Sequence, residues 1–210
     1  MEEAKLFVVR HGETEWNVAR RIQGFSNSPL TPIGIAQAQA LALRLAQESV
    51  DEVHSSDLGR VRETTEIIVS RTGHAAQYSE SLRERSYGVF EGKTMDECEA
   101  ERPGEWALYR GHDPDAVPPG GESVMQFQTR IIAALERIAA ASSGKTVVVA
   151  CHGGVCGALI RHVMGLPLGK PRTWSLYNAS INRFLYHKGK WQLDVWGDIS
   201  HLSTESLQDM

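Results

Sequence analysis

Three short stretches of the chain set arginine or histidine beside glycine: Arg10-His11-Gly12, Gly59-Arg60 and Cys151-His152-Gly153-Gly154. Arginine carries a planar fork of donors that can engage two oxygens of a phosphate at once. Neutral imidazole is a nucleophile that attacks without a metal or an activated hydroxyl. A glycine directly after a histidine lets the backbone come close to a ligand. These residue types fit the transfer of a phosphoryl group, whose spread charge needs several fixed donors. Taken singly, each stretch reads as an ordinary loop or a solvated helix residue. The functional reading depends on a fold that gathers them.

The elements expected around them do so. Lys5 to Val9, Asp51 to Ser55 and Thr146 to Ala150 read as short buried strands, each stopping just before one of the three stretches. Thr31-Pro32 opens a helix to about Glu48, and Ser56 or Asp57 is expected to cap the next, with Val61, Thr64, Thr65 and Ile68 along one side. Ser123 with Gln126 opens a helix to about Ala141, and another runs from Val155 to Met164. Ser180 to Tyr186 and Trp191 to Trp196 form a terminal hairpin around Lys188-Gly189. Strands alternating with helices indicate an α/β three-layer sandwich, a mainly parallel sheet with helices on both faces. Ligands bind beyond the carboxyl ends of such strands, where all three stretches fall. Arg60 and His152 would stand at helix N-termini, a poor place for cations unless an anion joins them.

Residues 1–210 are read as one domain, and 73–121 as an inserted segment covering the substrate, with a short helix signalled by Thr94 and Glu97. Within it, Lys93 to Pro119 is acidic, with Asp96, Glu97, Glu99, Glu101 and Glu105 beside Lys93, Arg102, Arg110 and His112. The whole chain has 22 Lys and Arg against 26 Asp and Glu, a net charge of −4. That excludes the global charge of a dedicated nucleic-acid binder, so any anion must be held by a local cluster. No apolar run is long enough for a membrane span, and the acidic start argues against a secretory signal. With Cys98, Cys151 and Cys156 read as small core residues, the expected setting is the cytoplasm. Gly144-Lys145-Thr146 precedes a strand and is set aside as a phosphate loop, and no histidine or cysteine spacing suggests zinc. Neither metal nor cofactor is expected.

In four places, in order, the chain resembles the histidine phosphatase superfamily, which contains phosphoglycerate mutases and many phosphatases. The segments are LFVVRHGETEWN (Leu6 to Asn17), SSDLGRVRETTEII (Ser55 to Ile68), LRERSYGVFEG (Leu82 to Gly92) and VACHGG (Val149 to Gly154). PGGES (Pro119 to Ser123) is similar as well, and RRIQG (Arg20 to Gly24) and GDISHL (Gly197 to Leu202) resemble bacterial mutase-like members. The resemblance implies a phosphoglycerate mutase-like fold, with His11 as the nucleophile that becomes phosphohistidine. It implies that Arg10, Arg60 and His152 hold the phosphoryl oxygens and that Glu84 protonates the leaving oxygen. A carboxyl beside a phosphate dianion is favoured in its protonated form, which suits that role, and Glu91 is the weaker competitor for it. Asn17, Gly153, Gln23-Gly24 and Ser86-Tyr87 are implied in phosphate or substrate contact.

The same resemblance leaves hydrolysis and mutase transfer open, because both run through one phosphohistidine. The short acidic middle segment lacks the paired arginines that would grip a second phosphate, so the expectation is a metal-independent phosphomonoesterase for small phosphorylated metabolites. Phosphoglycerate mutase is the alternative. A catalytically silent phosphate sensor is disfavoured because both His11 and Glu84 are kept. A homodimer formed through the terminal hairpin is a further expectation.

Overall fold

In the computed structural model, residues 2–111 and 113–203 are described. Strands β1 (Ala4–Arg10), β2 (Glu52–Ser56), β3 (Ala76–Ser79), β4 (Thr146–Cys151), β5 (Ile181–His187) and β6 (Lys190–Asp198) form one six-stranded sheet ordered β3-β2-β4-β1-β5-β6. Strands β3, β2, β4 and β1 run parallel, and β5 and β6 close the sheet as an antiparallel hairpin.

Alternation along β1 builds both faces of this sheet. Leu6 and Val8 turn toward helices α6 (Val124–Ala141) and α7 (Gly153–Met164), where they join Ile131, Leu135, Val155 and Leu159. Phe7 and Val9 turn the other way, toward Leu41 and Leu45 of α2 (Pro32–Leu45) and Val61 and Ile68 of α3 (Gly59–Thr72). The middle strand β4 is apolar on both faces because both are covered, the pattern of a buried parallel strand. Each fully buried Val, Leu or Ile contributes about 1.5–3 kcal/mol. The expected three-layer architecture is the one observed.

Local signals account for the helix starts. Thr31 caps α2 with Pro32 at its first position, and Ser123 with Gln126 forms a capping box on α6. The expected side-chain cap on α3 is absent. Leu58 stands at that position, the Ser56 hydroxyl lies 2.8 Å from Nε2 of His152, and the Asp57 carboxylate is drawn to Arg83 at 2.5 Å. Asn27 serves α3 instead, its Oδ1 accepting from the Arg60 N–H at 2.8 Å.

The stretch 73–121 differs from a wholly irregular connection. It begins with the edge strand β3, whose polar sequence AQYS carries little apolar pattern and is held by pairing with β2. It continues through short 3-10 turns into α4 (Met95–Glu101), with the expected Thr94–Glu97 capping box, and α5 (Pro103–Arg110). Phe90, Cys98 and Trp106 make a small core of their own there, packed with Ile22, Tyr87, Val89 and Tyr109. A further short helix, α1 (Glu15–Val18), lies in the loop after β1. His112 lies outside the described residues.

Candidate active site

Strand register assembles the site. Arg10 is paired with Cys151, and the next N–H, that of His11, donates to the Cys151 carbonyl at 3.1 Å. His11 and His152 thus leave neighbouring strands side by side, with ring centroids 5.6 Å apart in an edge-on arrangement. Both rings are buried, as are the side chains of Arg10 and Arg60.

The orientation of His11 follows from its bonds. Its Nδ1 lies 2.7 Å from the Gly12 carbonyl, which can only accept, so Nδ1 carries the proton and Nε2 keeps its lone pair. The Gly12 N–H donates to Thr64 of α3 at 3.2 Å. Behind it, a Cβ on Gly12 would lie 2.3 Å from the Gly34 carbonyl oxygen, so only glycine fits against the start of α2. The His11 carbonyl accepts from Nδ2 of Asn178 at 3.0 Å and from the Ala179 N–H at 3.1 Å. Asn178 also donates to Oδ1 of Asn17 at 3.2 Å.

The electrostatics favour a neutral nucleophile. Burial, then the charges of Arg60 and Arg10, push His11 well below the usual histidine range. Burial and the same arginines, with His11 itself, do so for His152. Arg60 is lowered to about 10 by burial, so it remains a cation at pH 7. Its Nη1 donates to the Ser26 carbonyl and its Nη2 to the Gly24 carbonyl, both at 2.8 Å. Those bonds leave its buried Nε without a hydrogen-bond partner among the described residues, and Nδ1 of His152 is in the same position. A buried Nε–H lacking a partner is costly, and a phosphoryl oxygen is an acceptor that would complete it. Nδ1 of His152 would join it as a donor where the Ser56 hydroxyl donates to Nε2. Arg10 donates to the Leu176 carbonyl.

Glu84 meets this cluster at the start of α7. Its Oε2 accepts from the Gly154 N–H and its Oε1 from the Arg85 N–H, each at 2.8 Å. It therefore supplies the N-terminal acceptor that α7 otherwise lacks. Arg130 of α6 fixes the segment from behind. It donates to the carbonyls of Ser81, Arg83 and Glu84 and forks onto Glu122 at 2.9 and 2.7 Å. Glu91 has a different task. Its two oxygens accept from the backbone N–H groups of Phe25, Ser26 and Tyr87 and from the Ser26 hydroxyl, tying the loop that holds Arg60 to the middle segment.

Arg10, His11, Asn17, Gln23, Gly24, Arg60, Glu84, Tyr87 and Gly153 all line one cavity of about 1000 Å³. Ser86 does not. Its hydroxyl turns to Glu91 at 3.3 Å and its N–H to Glu122 at 3.0 Å. The Asn17 side chain lies on the wall with its Oδ1 already bonded to the Thr14 N–H at 3.0 Å. Trp174, which as a tryptophan reads from sequence as packing, also lines the cavity. Asn178 and Arg130 are positioning residues that sequence reading did not single out, and Ser56 and Glu91 position the site where the sequence suggested a helix cap and a competing acid. Only long-range contacts reveal the first two, and no spacing announces them. Among the described residues, no group of three or more His, Cys, Asp or Glu side chains comes together to hold a metal.

The fold brings Arg10, His11 and Arg60 to the cavity wall with the buried His152 ring against His11, and comparison with known proteins gives the class. The family model of the histidine phosphatase superfamily (branch 1) matches residues 6–199. The chain belongs to this superfamily. It is 36% identical over 98% of both chains to a Salmonella choleraesuis (strain SC-B67) protein named "Probable phosphoglycerate mutase GpmB". Among solved structures it is similar to Bacillus stearothermophilus YhfR, with 33% identity and a TM-score of 0.86 over 94% of this chain and 98% of that one. It is similar to mycobacterial glucosyl-3-phosphoglycerate phosphatase, at 31% identity and a TM-score of 0.80 over 93% and 99% of the two chains. The alpha-ribazole phosphatase from Shigella flexneri gives 25% identity and 0.85 over 92% and 96%. The protein is thus a phosphatase or a mutase of this superfamily.

Proposed function

We propose that the protein is a metal-independent phosphomonoesterase that hydrolyses small phosphorylated metabolites in the cytoplasm through a phosphohistidine on His11. The observation that carries this reading is the His11 ring, buried between two arginines with Nδ1 tied to Gly12, which leaves Nε2 unprotonated. In the first step Nε2 attacks phosphorus and the ester P–O bond breaks. Glu84 gives its proton to the departing alkoxide, which leaves as the alcohol. Arg10, Arg60 and His152 hold the three remaining oxygens and supply the positive charge that this transfer needs. In the second step the Glu84 carboxylate takes a proton from water, the oxygen attacks phosphorus, and inorganic phosphate departs with the His11 ring restored.

Hydrolysis is favoured over transfer by what happens to the cations of the middle segment. Lys93 is paired with Glu101, and Arg102 with Glu105 at 3.0 Å. Arg21, at the cavity wall, forks onto Glu97 at 2.6 and 3.1 Å. Charges already paired grip a second phosphate weakly. The mutase reading draws its support from the name of the Salmonella relative.

Phosphate release from a panel of metabolites in the presence of EDTA tests the proposal, run beside interconversion of 3- and 2-phosphoglycerate with 2,3-bisphosphoglycerate. Release that persists in EDTA and disappears in His11→Ala is the expected result. Efficient interconversion with negligible release would replace it with the mutase reading.

A further inference from the structure

Outward from Glu84 the cavity changes character. Trp106 and Tyr109, stacked at 5.2 Å between ring centroids, belong to its wall, as do Phe127, Leu168, Trp174 and Leu176. These residues come from α5, α6 and the segment after α7, so separate parts of the fold contribute to one apolar enclosure. Its volume, about 1000 Å³, stands at the upper end of pockets that hold drug-sized ligands. A three-carbon phosphoacid would occupy a small part of it and leave the aromatic wall wet. Among the described residues one carboxylate, Glu84, lines the cavity, together with the cations Arg20, Arg21, Arg161 and Arg172. Arg21 forks onto Glu97, and Arg161 spends both terminal nitrogens on the Pro167 and Lys170 carbonyls at 2.6 and 2.7 Å. That arginine stiffens the loop bearing Leu168, with its guanidinium 5.0 Å from the centre of the Trp174 ring.

Resting on the phosphatase reading, we propose that the substrate is a phosphomonoester whose alcohol carries a bulky apolar body, preferably an aromatic ring system, seated against Trp106, Tyr109, Phe127, Leu168, Trp174 and Leu176. The phosphate is held at His11, the ester oxygen faces Glu84, and the body displaces water from the outer wall. Binding energy then comes from apolar area and aromatic contact more than from further charged groups.

The test keeps leaving-group acidity constant by using primary alcohols throughout. Kd is measured by calorimetry for ethylphosphonate and 2-(1-naphthyl)ethylphosphonate, which cannot be hydrolysed, and kcat/KM for the two corresponding phosphate esters. The naphthyl ligand is expected to bind more than tenfold tighter, and Leu168→Asp to shrink that ratio at least threefold. A Kd ratio of ten or less in the native protein overturns the inference, as does a ratio unmoved by Leu168→Asp. The phosphonate measurement is independent of turnover. Failure to hydrolyse any ester, 4-nitrophenyl phosphate included, would count against the phosphatase reading alone.

Discussion

One methyl group at Gly154 isolates the role of Glu84. A Cβ at Gly154 would lie 2.0 Å from Oε1 of Glu84 and 2.8 Å from its Cδ. Ordinary contact begins near 3.4 Å, so the carboxylate must retreat by 3.4 − 2.0, about 1.4 Å. It then leaves the Gly154 N–H, now 2.8 Å away, while the side chain itself remains present. The helix gains about 0.5–1 kcal/mol from alanine over glycine. That offsets much of the loss of about 0.5–2 kcal/mol that goes with the Glu84 acceptor, so Gly154→Ala should still fold and melt close to the native protein. A displacement of this size in a reacting group costs about 10²-fold, at the low end of the 10²–10⁴ that acid catalysis supplies. We therefore expect kcat/KM for an alkyl phosphate to fall about 100-fold, equivalent to about 2.7 kcal/mol of barrier. For 4-nitrophenyl phosphate, whose leaving group needs no proton, the fall should stay within about fivefold. Since kcat/KM ends at the first irreversible step, later attack by water does not blur the comparison. Equal losses for both esters, or a loss below threefold for the alkyl ester, would refute the reasoning.

Three further outcomes are expected. Asn178→Ala removes a donor from the His11 carbonyl and should lower kcat about tenfold with little change in KM; a raised KM at constant kcat would show that Asn178 binds substrate instead. Gly12→Ala drives a Cβ to 2.3 Å from a backbone oxygen that cannot rotate away, so it should cost more than about 3 kcal/mol and appear as insoluble protein or a much lower Tm. Stability should also fall with acid. Unfolded, His11 and His152 take up protons near pH 6.5, whereas folded they do so only well below it. Below pH 6.5 the unfolded state therefore binds more protons, and each histidine removes up to about 1.4 kcal/mol per pH unit until its folded value is reached. Calorimetric melting between pH 7 and pH 5 should follow this slope, and a flat profile would mean that the two rings take up protons in the fold as readily as in the unfolded chain.

The parts of this design legible in the sequence are those in which neighbours along the chain do the work. The strands read at Lys5 to Val9, Asp51 to Ser55 and Thr146 to Ala150 foretold the parallel core, each observed strand running one residue further at its carboxyl end. The capping residues Thr31, Thr94 and Ser123 stand at helix starts. The positions of Arg10, His11, Arg60, Glu84 and His152 were readable from motif likeness, and the fold gathers them. Contacts made across the chain were not readable. Strand β3 is polar and exists through its pairing with β2. Asn178 is one asparagine among several until the turn leading into β5 brings it to His11. Ser56 and Asp57 looked like helix caps because capping is a local preference, and tertiary partners outbid it. Ser86 fell outside the cavity for the same reason, its hydroxyl drawn to Glu91.

The strand order has a consequence for how the protein is made. In the finished sheet β1 lies between β4 and β5, and β4 separates it from β2. On a ribosome, therefore, the first strand emerges long before either of its neighbours exists. Leu6 to Val9 must wait as an unpaired apolar edge until residues beyond Thr146 have left the exit tunnel. Such an edge is open to mispairing with other nascent chains, so folding of this chain should depend on how fast its last third is delivered. Loss of the terminal hairpin would also do more than weaken the sheet. Asn178 and Ala179, the donors on the His11 carbonyl, lie just before β5, so without the hairpin they would remain in the chain but lose the strand that anchors them beside His11.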